Sequence, residues 1–184
     1  MLAQPTRPPG QAPGMSMADA TRIILEFRTK VTGQPQRLGE VNQQEVQVAL
    51  MLVGAQDFTG RRLQNLDWGT RKMGAEALTR YAIDASETGP QNDIAGLALS
   101  GLKRVYRSAS HSQLERELAA LALARVLVGL EEKQRQSTET TTRHRLAEVQ
   151  KWFHEDFTGQ NHPQWDITHS ALHWARTPIP PQLR

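Results

Sequence analysis

The sequence predicts an all-α protein, a single compact bundle of six or seven helices with a central apolar helix at about 113–136. Three observations carry that expectation. Side-chain caps recur ahead of helical stripes, at Ser16, Asn42 and Ser112, each followed three residues later by an acid. The run LAALALARVLVGL (118–130) is apolar nearly all round, as a helix enclosed by other helices must be. No series of alternating segments separated by turn residues points to a sheet.

The elements follow in order. Residues 1–15 hold prolines and glycines with almost nothing apolar, and read as a disordered tail. They carry no apolar core of a secretory signal, so cytoplasmic residence is expected. Ser16 with Asp19 then introduces the stripe Ile23, Ile24, Phe27 and Val31, closed by Gly33 and Pro35. The same stretch also alternates as a half-buried strand would, at Ile23, Leu25, Phe27, Thr29 and Val31, but the cap and the glycine favour helix. Asn42 with Glu45 opens the run Val46 to Val53, stopped at Gly54. Thr70 is placed to cap a helix reaching Ser86, before Gly89-Pro90 breaks the chain. Asn92 starts the next helix, with Ile94, Ala98, Gly101 and Val105 on one side. Ser112 and Glu115 open the central helix, which ends near Gln136 at the polar break STETTT (137–142). A further helix carries Leu146, Val149, Trp152 and Phe153, and a short one covers 164–176. The helical domain is therefore expected over 16–176, with a Pro-rich tail at 177–184.

Composition limits the chemistry. No apolar run approaches the ~20 residues of a membrane span. The absence of cysteine removes disulfides, thiolate metal sites and thiol nucleophiles. Neither a nucleophile elbow nor a phosphate-cradling glycine loop occurs. His169 and His173 are four apart on an expected helix, with Glu155 and Asp156 as further metal ligands in reach of the pattern. Yet the intervening residues read HSALH, without the glutamate of a zinc protease, and no metal or other cofactor is expected.

Basic clusters are the more useful signal. The chain has 22 Lys and Arg against 19 Asp and Glu, a net charge of +3. Arg61, Arg62, Arg71 and Lys72 fall in one stretch. Lys103, Arg104 and Arg107 form a second, with Lys103 and Arg107 opposite the apolar stripe and so expected to look outward. Arg143 and Arg145 belong to a third. Converging, the three would make a surface for phosphate oxygens, which the planar guanidinium fork suits. Arg125, the lone charge within 118–130, is expected to be buried and paired. Trp152, Trp165 and Trp174 crowd the C-terminal region, where they either anchor a protein partner or pin the last helices to the domain. The expected function is contact with nucleic-acid backbone, as a regulator or a nucleoprotein subunit. The alternative is a helical adaptor or inhibitor that binds another protein through its aromatic C-terminal region.

Overall fold

A computed structural model describes residues 15–136, 142–157, 171–173 and 175–176. The expectations for the two tails, for most of the polar break and for Trp165, Trp174 and His169 lie outside those residues. Within them the protein is all-α, with helices α1 (Met17–Thr32), α2 (Gln43–Gly54), α3 (Trp68–Asp84), α4 (Gly89–Arg107), α5 (Gln113–Gln136) and α6 (Thr142–Phe157). A 3-10 helix, Pro35–Glu40, sits between α1 and α2.

Local chemistry sets the helix starts. The Ser16 hydroxyl accepts the Asp19 N–H at 3.1 Å. Asn42 and Glu45 form a full capping box: each side chain accepts the other's backbone N–H, at 3.0 and 2.9 Å. Ser112 and Glu115 repeat it, most tightly where Glu115 accepts the Ser112 N–H at 2.8 Å.

Two starts differ from the sequence expectation. α3 is capped by Asp67, whose carboxylate accepts both the backbone N–H and the hydroxyl of Thr70, at 2.8 and 3.0 Å. Thr70 is thus inside the helix, one turn beyond the cap. α4 opens at Gly89, with Pro90 in its first turn, where a missing N–H costs nothing. Gly89 takes φ +67°, the left-handed region that a Cβ disfavours. The dipeptide that reads as a break is therefore also a helix start. α2 ends through Ala55 at φ 49°, whose N–H donates back to Leu52 O at 3.3 Å.

The buried apolar side chains of α1 to α6 form one continuous cluster, with Phe27, Leu52, Leu78, Tyr81, Leu102, Tyr106, Leu123 and Leu130 fully enclosed. α3 and α5 are its centre: α3 packs on α1, α2, α4 and α5, and α5 on α2, α3, α4 and α6. Leu123 and Leu127 are buried as expected, whereas Leu121 is only partly covered. Close approach of α5 to α3 depends on Gly129, whose missing Cβ leaves room for the Ile83 side chain. No helix among the described residues is long and apolar enough to cross a membrane.

Candidate nucleic-acid interface

The basic residues singled out in the sequence divide by what their donors meet. Arg71 and Arg145 are buried and face backbone rather than solvent, which corrects their assignment to an outward phosphate surface. Arg71 donates to Leu52 O and Val53 O, at 3.0 and 3.1 Å, closing the C-terminal end of α2. Arg145 donates to Ala82 O, Ala85 O, Ser86 O and Asn92 Oδ1, all within 2.7–3.1 Å, and so closes the end of α3. Lys133 adds a bond to Ile83 O at 2.9 Å. Orphan carbonyls at a helix C-terminus carry partial negative charge, so a cation there satisfies both bonding and dipole. Burial pulls both guanidiniums below the ordinary arginine pKa.

Arg62 forms a two-pronged pair with Glu115, at 2.6 and 3.1 Å. Glu115 is buried and also meets His111 Nδ1 at 3.3 Å, while the same nitrogen lies 2.9 Å from Gly54 O. Burial pushes the Glu115 carboxyl up, but hydrogen bonds from Arg62 and Ser112 outweigh it and hold the group below the usual carboxylate value. Arg62 is thus tied to the fold.

Arg107 is exposed and Lys103 half-buried. Both lie over the indole of Trp152, 5.9 and 6.0 Å from the ring centroid. Trp152 itself is buried against Tyr106 and Phe153, so it pins α6 to α4 and is not an exposed partner anchor. Its Nε1 has no hydrogen-bond partner among the described residues. Arg61, Lys72, Arg104 and Arg143 are exposed, in the α2–α3 loop and on α3, α4 and α6. Arg104 lines a hollow of about 260 Å³ between α2 and α4, beside Leu50, Leu97 and the exposed Phe58.

The arrangement that sequence reasoning missed lies on the other side of α3. α1 and α5 both pack on α3 without a comparable contact to each other, and a groove of about 280 Å³ runs between them. Arg28 and Thr32 of α1, Glu76, Thr79 and Arg80 of α3, and Arg125 of α5 line it. Arg125 is exposed, against the expectation of a buried pair, and has no ion-pair partner among the described residues. Arg28 reaches Met73 Sδ at 3.7 Å, and Arg80 makes a loose pair with Asp84 at 4.0 Å. Exposed side chains of α3 recur every fourth residue, Trp68, Lys72, Glu76 and Arg80, forming a ridge along this face. Exposed Arg22 and Leu25 of α1 border its N-terminal end, lining a hollow with Asn65 and Asp67.

Among the described residues no group of His, Asp and Glu is placed to hold a metal ion. His173 is exposed, and its expected partner His169 lies outside the described residues. Comparison of the chain with protein-family models, with curated proteins and with solved structures gives no match.

Proposed function

We propose that the protein contacts nucleic-acid backbone, as a regulator or as a subunit of a nucleoprotein assembly, through the face formed by α1, α3 and α5. One observation carries this reading: Arg28, Arg80 and Arg125, from three helices, line a single groove that holds one acid, Glu76. Arg22 and Lys72 extend the positive face toward the N-terminal end of α3. Arginines from separate elements that share a concavity can engage consecutive phosphates, and their forked donors match phosphate oxygens. Lys103, Arg107 and Arg145 are less suited, because Lys103 and Arg107 lie over Trp152 and Arg145 is bonded to the end of α3. Arg104 and Arg143 are exposed but line no groove with one another among the described residues.

Charge reversal separates the two surfaces. Arg28→Glu with Arg125→Glu should leave the circular dichroism spectrum and melting temperature near wild type, since both side chains are exposed. The same pair should abolish binding to a labelled oligonucleotide at low salt, whereas Lys103→Glu with Arg107→Glu should leave most of it. Loss from the α4 pair and none from the groove pair would move the interface. No binding by the wild-type protein to duplex or single-stranded DNA or RNA would end the reading.

A further inference from the structure

We infer that the α1–α3–α5 face takes single-stranded nucleic acid, with Trp68 as the platform on which a base stacks; this rests on the backbone-binding reading above. Trp68 is the first residue of α3 and is 44% exposed, an unusual setting for the largest apolar side chain. Lys72, one turn on, continues its ridge toward the arginine groove. Along that ridge Glu76 follows Lys72 and Arg80 lies one turn further, so the indole and the groove arginine Arg80 share one ridge of α3.

The ring is also held in place. Arg71 lies 5.5 Å from its centroid, and Arg71 is itself buried and anchored by Leu52 O and Val53 O. A guanidinium fixed by two carbonyls braces one side of the indole, so the exposed area falls on the rest of the ring. Asp67, which caps α3 immediately before Trp68, fixes the backbone from which the indole projects. A rigid aromatic surface loses little conformational freedom on binding, which favours stacking.

Duplex DNA keeps its bases stacked on one another and offers such a ring nothing but its phosphates. A single strand offers both phosphates and free base faces, the combination found in sequence-tolerant single-strand grooves. Charge complementarity selects a polyanion, and the exposed indole selects one with accessible planar bases.

The test is an anisotropy titration with a labelled oligothymidylate of about 15 nucleotides, and with a duplex of similar length, at low salt. Wild-type protein should bind the single strand more tightly. Trp68→Ala should weaken single-strand binding about 5- to 100-fold, leave duplex binding unchanged, and leave the salt dependence of both unchanged. Trp68→Phe should restore most of the loss. Trp68→Leu, which keeps apolar bulk for the fold but no aromatic face, should not. Equal binding by wild type and Trp68→Ala, with Arg28→Glu and Arg125→Glu still disruptive, would overturn the stacking role and leave the backbone reading standing. A wild-type preference for duplex would overturn it as well. Binding to neither would remove both.

Discussion

Arg145 shows how far a charged residue's role depends on what surrounds it. In the sequence it is one of several basic residues in a polar stretch. In the fold it is buried against the end of α3, where four acceptors meet its donors. Arg145→Met should destabilise the protein by about 3 kcal/mol, because the substitution leaves buried carbonyls without donors. A urea melt checks this, and a change under about 0.5 kcal/mol, the usual range for surface positions, would contradict the capping role. Glu115 makes a second residue-level prediction. Its folded-state pKa is lowered, so its stabilising effect is complete above the ordinary carboxylate pKa and is lost as pH falls through the lowered value. Glu115→Gln should therefore reduce stability at neutral pH and flatten its fall in acid, as urea midpoints measured across that range would show. The sequence displays these charges but not their partners, since Arg62 and Glu115 are 53 residues apart. Arg125 misleads for a related reason: its neighbours in the chain are apolar, but along the helix it aligns with Leu118 and Leu121, which are only partly covered.

Helices are more legible than their ends. Ser16, Asn42 and Ser112 announce α1, α2 and α5 because a cap acts over three residues and leaves its mark in the sequence. α3 starts earlier than expected because Asp67 caps it, and the weak helix formers Trp68 and Gly69 that follow conceal that start in the sequence. α4 starts earlier because a proline can open a helix as well as end one. The Pro35–Glu40 turn carries no distinctive signal beyond its proline. α5 is the element most clearly written in the sequence, and it supports a graded prediction. Leu123 is buried between helices, so Leu123→Ala should cost ~2–5 kcal/mol through lost transfer energy and the cavity left behind. Leu121 is only partly covered, so Leu121→Ala should cost clearly less. Thermal and urea melts of the two variants decide this; equal losses would mean that α5 is enclosed on all sides.

At the scale of the whole molecule, the arginine groove could not be read along the chain. Arg28, Arg80 and Arg125 belong to helices about 50 residues apart, and only the packing of α1 and α5 on either side of α3 brings them to one hollow. Basic clusters local in sequence pointed instead to 61–72, to α4 and to α6, where Arg62 meets Glu115, Arg71 the end of α2, Lys103 and Arg107 the Trp152 ring, and Arg145 the end of α3. The central claim is that the groove arginines neutralise phosphates, and the salt dependence of binding measures that most directly. Each phosphate neutralised on a single strand contributes about 0.7 to the slope of log affinity against log salt. Replacing Arg28, Arg80 and Arg125 together by alanine should therefore weaken oligonucleotide binding and reduce the slope by about 2, with the melting temperature little changed. An unchanged slope in a folded triple variant would contradict the assignment of this face as the nucleic-acid surface.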